Sequence, residues 1–158
     1  MKILCIDPGC TESAYVLMDK DYKPLEFGKV ENIKMLCLVE EFLICGNAED
    51  EFVIEMVASY GMAVGKEVFE TVFWIGRFWQ AYDGLRTKVY RKDVKMNLCG
   101  QTKAKDTNIR QALIDRFGVV GVKKNPGWFY GFKADIWQAY ATGITYLDNR
   151  KRMGVRNA

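Results

Sequence analysis

The chain of 158 residues reads as an α/β protein, and three observations predict it. Three short apolar runs come first, and helical and extended patterns then alternate until two helical patterns close the chain. Acids end the first and fourth extended runs, and a third acid opens the last helical one. Apolar residues make up 49% of the chain, which is enough to bury a sizeable core.

Residues 2–7, 13–19 and 25–30 are the three runs, separated by Pro8-Gly9 and by the turn Asp19-Lys20-Asp21, and they form a meander. Residues 31–46 carry Ile33, Leu36, Cys37, Val39, Phe42 and Leu43 at helical spacing, and Gly46-Asn47 stops that helix. Phe52–Glu55 is the fourth strand. Residues 64–84 are helical, with Val64, Val68, Val72, Ile75, Phe78 and Trp79 on one broad face, and Thr87–Tyr90 is the fifth strand. Residues 105–117 and 133–150 form the last helices, with Asp106 as N-cap and Gly118 as stop of the first of them. Lys123-Lys124-Asn125-Pro126-Gly127 reads as a loop between them. No repeat, low-complexity tract or linker divides the chain, so residues 1–158 are expected to form one domain.

There is no histidine, which removes the usual general base, the Ser-His-Asp and Cys-His nucleophile systems and the HExxH zinc sites. Cys5, Cys10, Cys37, Cys45 and Cys99 are odd in number and form no CxxC pair. They read as reduced, mostly buried thiols, with Cys5/Cys10 only a weak metal candidate. No apolar stretch approaches a membrane span and no secretion signal opens the chain, so a cytoplasmic protein is expected.

Asp7 ends the run Lys2-Ile3-Leu4-Cys5-Ile6, Glu55 ends Phe52-Val53-Ile54, and Asp135 opens an amphipathic segment. An acid at the end of a buried strand costs free energy unless it is paired or holds a metal. Strand-end acids can also cap helices or pair with Lys and Arg. Oxygen donors without His or thiolate suit Mg²⁺ or Mn²⁺ rather than zinc. Net charge is only +3, yet residues 1–85 hold 7 Lys/Arg against 15 Asp/Glu (−8) and residues 86–158 hold 16 against 5 (+11). A basic half suggests a polyanionic partner, and joined to a hard-cation site it favours a nuclease.

The element order with these three acids resembles the ribonuclease H-like fold, and the chain is similar to the RuvC family of Holliday junction resolvases in a bacteriophage-type form. The resemblance rests on Ile6-Asp7-Pro8-Gly9, Ile54-Glu55, Val94-Lys95 with Gly100 and Lys103-Ala104-Lys105, and Lys133-Ala134-Asp135 with Ala139, and it covers nearly the whole chain. It implies a central mixed five-stranded sheet flanked by helices. It implies two Mg²⁺ (or Mn²⁺) ions per active site, bound by Asp7, Glu55 and Asp135 with Asp7 bridging. It also implies four-way and branched DNA as substrate, a homodimer, and, for a phage protein, the cytoplasm of the host cell.

Three positions qualify that resemblance. The family's fourth acid, one helical turn after the third, is here Gln138, whose amide carbonyl can ligate Mg²⁺ but brings no charge. The family's aromatic residue three positions after the second acid is here Ala58, and Tyr60 is the nearest substitute for stacking on a base, unless it packs on Phe69. Lys95 and Lys105 match basic residues that the family places near the scissile phosphate and the DNA backbone, with Lys103 and Lys133 as further cations of the same motifs. Trp74, Trp79, Phe73, Phe78 and Tyr82 make the 64–84 helix aromatic almost all round, which suits either a dimer interface or a thick internal core. A junction-binding protein without activity, and a ribonuclease H acting on RNA–DNA hybrids, remain as alternative readings.

Overall fold

The computed structural model describes residues 1–156, with side chains through residue 154. Strands β1 (Lys2–Asp7), β2 (Glu12–Asp19) and β3 (Pro24–Glu31) form the expected meander. They are followed by α1 (Asn32–Cys45), β4 (Glu51–Met56), α2 (Lys66–Ala81), β5 (Leu85–Tyr90), α3 (Arg91–Cys99), α4 (Asp106–Phe117), the short strands β6 (Gly121–Val122) and β7 (Asn125–Pro126), and α5 (Ile136–Arg156). The main sheet has the order β3-β2-β1-β4-β5. β1 runs antiparallel to β2 and β2 to β3, whereas β1–β4 and β4–β5 are parallel, so the sheet is mixed as expected.

Alternation along the strands splits the core in two. Ile3, Cys5, Ala14, Val16, Met18, Val53 and Val89 face one side, where α5 lies with α3 and α4 packed beside it. Leu4, Ile6, Tyr15, Phe52 and Ile54 face the other and pack on Met35 and Val39 of α1 and on Ile75, Phe78 and Tyr82 in and after α2. Burying each such aliphatic or aromatic side chain contributes about 1.5–3 kcal/mol. Gly143 lets α5 lie close against the sheet, since a Cβ there would collide with the sulfurs of Cys5 and Met18.

The Asp19 turn closes as its sequence suggests, with Asp19 Oδ1 accepting from the N–H groups of Asp21 (2.8 Å) and Lys23 (2.9 Å). Several local expectations need correction. Helix α3 was not foreseen from the sequence, because it is only nine residues long and fully buries Val94 alone, with Leu98 and Cys99 partly buried against the core. Its stop is legible in retrospect: Gly100 adopts φ 68° and donates its N–H to the Met96 carbonyl. The expected 123–127 loop is the turn and second arm of the β6–β7 hairpin. Asp106 is the first residue of α4 rather than its cap; Lys105 holds the cap position, and its N–H is accepted by Asn108 Oδ1 at 2.9 Å.

The last helix begins at Ile136, not 133, because Ala134 sits at φ 40°, outside helical space, and it continues to Arg156. Helix α1 buries Asn32, Met35 and Val39, leaving Ile33, Leu43 and Ile44 exposed; apolar residues surround it, so spacing alone selects the wrong stripe. All five cysteines are free, but only Cys5 is buried and Cys37 and Cys45 are exposed, contrary to the expectation of mostly buried thiols. Among the described residues no helix is long and apolar enough to cross a membrane.

Candidate metal centre and nucleic-acid cleft

Register and pleat bring the first two acids together. Ile6 pairs with Ile54 across parallel strands, so the next residues, Asp7 and Glu55, finish side by side at the C-terminal ends of two central strands. Both share the strand parity of Cys5 and Val53 and therefore lie on the α5 face. Asp135 stands immediately before α5, its carbonyl accepting the N–H groups of Gln138 and Ala139 at 3.0 Å each, so Gln138 is one turn into the helix. Lys29, opposite Ala14 on β3, shares that face and reaches Asp135.

The acids are compensated unequally. Glu55 Oε2 accepts from Arg91 Nη1 at 3.2 Å and lies 3.3 Å from the Thr142 hydroxyl, while Oε1 is not engaged among the described residues. Thr142 Oγ1 is also 3.0 Å from the Gln138 carbonyl, so its single proton serves one acceptor at a time. The second arm of Arg91, Nη2, pairs with Asp106. Asp135 Oδ2 is 2.6 Å from Lys29 Nζ. Asp7 has no ion-pair partner among the described residues.

Burial, then the neighbouring Glu55 charge, pushes the Asp7 carboxyl well above the ordinary range, and Arg91 only partly opposes this. Burial likewise raises Glu55, against the pull of Arg91 and Thr142. The Lys29 ammonium is raised by its hydrogen bond to Asp135. Arg91 is raised despite its own burial, because Glu55 and Asp106 outweigh desolvation.

Whether these residues suit a hard divalent cation is testable on the donor set. Gln138 is buried, and its Oε1 is the one buried side-chain polar atom without a hydrogen-bond partner among the described residues. Such an orphan costs free energy unless something binds it. With Asp7 unpaired and Glu55 Oε1 unengaged, the donors are all hard oxygens and fit Mg²⁺ or Mn²⁺. Among the described residues, however, no three His, Cys, Asp or Glu side chains converge closely enough to hold one ion, since Asp135 is drawn to Lys29 and Glu55 to Arg91.

The sequence-derived DNA residues fall into two groups. Tyr60 and Lys95 line one cleft of about 340 Å³ together with Arg91, Lys92 and Thr102, beside Glu55. Tyr60 has φ 46° in its loop and is exposed, as is Phe69, so its ring is not buried against that residue. Lys103 and Lys105 are exposed in the turn leading into α4, next to Asp106 and hence to Arg91, whereas Lys133 is exposed on the Asp135 side. Sequence reasoning missed Arg91, Lys29, Asp106 and Thr142. Arg91 continues the parity of Val89 one step past β5, and Thr142 follows Asp135 and Gln138 at helical spacing, so both carried a readable signal. Lys29 and Asp106 carried none.

No protein-family model matches the chain, and no curated protein sequence matches it. Solved structures do. Thermus thermophilus RuvC superposes with a TM-score of 0.71 at 16% identity, over 98% of this chain and 97% of that one. The same protein in complex with Holliday junction substrate gives 0.65 at 15% identity, over 96% of each chain. A fowlpox virus Holliday junction resolvase gives 0.47 at 14%, over 94% of this chain and 99% of that one. At such identities the likeness is one of fold: the mixed five-stranded sheet flanked by helices is the ribonuclease H-like fold of RuvC.

Proposed function

We propose that the chain is a metal-dependent, structure-selective endonuclease that resolves Holliday junctions and other branched DNA by paired phosphodiester hydrolysis. The observation that carries this reading is the pairing of Asp7 and Glu55, with Asp7 in no ion pair among the described residues, beside a cleft that joins an exposed tyrosine to cations. The fold it shares with T. thermophilus RuvC, a protein solved with a Holliday junction substrate, supports the substrate class.

Asp7, Glu55, Asp135 and the Gln138 side-chain Oε1 would hold two Mg²⁺ or Mn²⁺ ions, with Asp135 exchanging Lys29 for the ion. Such a pair, when bound, supplies charge stabilisation to the attacking and leaving oxygens of an in-line displacement. The chain's own residues do the rest. Arg91 and Thr142 hold Glu55 Oε2 and thereby turn Oε1 free. Lys105, Lys103, Lys95 and Lys133 neutralise backbone phosphates, and Lys105 is assigned to the scissile one. Tyr60 offers a ring to a base at the opened junction, where stacking contributes about 1–3 kcal/mol.

Paired cleavage calls for two sites, and α2 supplies a face for a homodimer. Its Thr71, Ile75 and Phe78 are buried against the sheet, while Phe69 (64% exposed), Phe73 (61%) and Val72 (38%) point outward, so the helix is not enclosed on both sides. A groove of about 570 Å³ between α1 and α2, lined by Leu36, Val72, Phe73 and Gly76, continues that apolar surface. Phe73→Glu is expected to yield monomers in analytical ultracentrifugation.

The deciding experiment compares cleavage of a labelled four-way junction, a fork, a duplex and an RNA–DNA hybrid in Mg²⁺ or Mn²⁺. Symmetric nicks in the junction are expected. Junction binding without cleavage in either metal would mean a non-catalytic junction-binding protein, and preferential cutting of the hybrid a ribonuclease H.

A further inference from the structure

Arg91 uses its two arms differently. Nη1 meets the buried Glu55, as an acid inside the protein requires, but Nη2 meets Asp106, whose side chain is 67% exposed and needs no partner. Asp106 adds a negative charge to a site already crowded with Asp7, Glu55 and Asp135, and it pushes the carboxyls of both Asp7 and Glu55 upward. Arg91 also lines the cleft formed with Tyr60, Lys92, Lys95 and Thr102, where a strand of nucleic acid would run. A carboxylate and a phosphodiester both offer an arginine two oxygens sharing one negative charge, and the guanidinium fork accepts either.

We infer that Arg91 is a phosphodiester-binding residue and that Asp106 occupies its outer arm as an internal stand-in for the phosphate until nucleic acid displaces it. The inference rests on the nuclease reading above. In the exchange Arg91 Nη2 releases Asp106 Oδ1 and takes a backbone phosphate oxygen, while Nη1 keeps Glu55 in place, so the same side chain ties the arrival of DNA to the orientation of an active-site acid. Because Asp106 is exposed, its released carboxylate is rehydrated at little cost. Asp106 thereby lowers affinity for any nucleic acid that cannot reach Arg91, since only a phosphate delivered into the cleft can replace it.

The test is a mutant cycle read by fluorescence anisotropy, using a four-way junction in Ca²⁺ to measure binding apart from cleavage. Asp106→Asn should tighten binding by about threefold, the scale of an exposed ion pair. Arg91→Gln should weaken it by about tenfold, the scale of a charge-assisted hydrogen bond, and lower the logarithmic salt slope by about 0.9. The gain from Asp106→Asn should vanish when Arg91 is already Gln. Because Arg91→Gln strips Glu55 of its counter-charge and can fail to fold, Arg91→Lys is the second background, retaining the charge but lacking the fork. Asp115→Asn, which removes the same charge further along α4, should leave binding unchanged. An equal gain from Asp106→Asn in wild-type and both folded Arg91 backgrounds, or the same gain from Asp115→Asn, would mean general charge removal and overturn the inference. No gain in the wild-type background would overturn it while leaving the nuclease reading intact. Failure of the wild-type chain to bind any DNA would remove both.

Discussion

Glu51 and Glu55 stand on the same face of β4, one at each end of the strand, and the molecule treats them in opposite ways. At the first end Glu51 accepts hydrogen bonds from Tyr146 and Arg150 of α5. Nearby, Asp148 receives both arms of Arg116 (2.7 and 2.8 Å), the Asn97 amide (2.8 Å) and the Tyr22 hydroxyl (3.0 Å). Burial works against the Asp148 charge, yet those bonds outweigh it and hold its carboxyl below the ordinary range. At the other end burial prevails, Asp7 and Glu55 are pushed up, and the buried side-chain Oε1 of Gln138 has no donor among the described residues. The same helix serves both ends, so the fold is able to satisfy buried acids. Under the proposed function the unsatisfied end is the one where negative charge and open lone pairs would bind a cation, a distribution expected where stability yields to function.

The largest effect expected from breaking this contrast is that of Asp7→Asn. Junction cleavage should fall by at least about 10²-fold, the scale lost with one group that stabilises a transition state, while junction binding, which draws on many phosphate contacts, persists. The same variant should melt a few degrees higher without metal, on the order of 2–4 °C, because a repelled buried charge is gone. Full nicking by Asp7→Asn would end the metal assignment, and a lowered melting temperature would end the claim that this end is strained. At the satisfied end the sign reverses. Asp148→Asn should lose about 2 kcal/mol in urea denaturation, less than a fully buried pair because Arg116 is partly exposed, and cleavage per folded molecule should not change.

The two ends should also separate by pH. Asp7 and Glu55 are raised in the folded chain, so that chain retains protons the unfolded one has released. Their contribution is full below the ordinary carboxyl range and is lost as pH rises through the raised values. Asp148 is lowered, so its contribution is present above the ordinary range and is lost as pH falls through its depressed value. Denaturation curves in EDTA from about pH 4 to 8 should therefore show metal-free stability declining upward in the wild type and declining less in Asp7→Asn. Added Mg²⁺ should flatten the wild-type curve. Identical curves for both proteins would place Asp7 in a solvated environment.

The smallest effect is that of Gln138→Asp, which should lower the Mg²⁺ needed for half-maximal cleavage by a few-fold, on the order of one added ligand charge. The new carboxylate also stands one helical turn from Asp135, so maximal rate can fall as metal affinity rises. Indistinguishable Mg²⁺ titrations would put position 138 outside the metal shell.

Much of the architecture was legible because the sheet obeys a period of two. Ile3, Cys5 and Asp7, like Val53 and Glu55, announce a shared face once β1 and β4 are neighbours, and the IDPG and KAD motifs locate Asp7 and Asp135. Helix α1 resisted because apolar residues surround it, and α3 because it is short and fully buries a single residue. Strand parity could place Arg91 on the site's face, but which cation pairs with which acid stayed hidden. Lys29 pairs with a residue 106 positions away and Arg91 with one 36 away, and no local pattern encodes which of 23 basic side chains will fold back onto an acid. Ion-pair choice is a property of tertiary distance, whereas strand parity is written residue by residue.

The close crossing at Gly143 sets a dimension far from where it occurs. At 1.5 Å per residue, eight residues of helix place that contact about 12 Å from Asp135, with two sulfurs as the stop against which the helix rests. A side chain at 143 would wedge α5 and the sheet apart, and the packed start of the helix, with Asp135 and Gln138, would shift relative to the sheet that carries Asp7 and Glu55. The gap across which an ion would have to be shared is thus gauged by a cysteine and a methionine that never touch it.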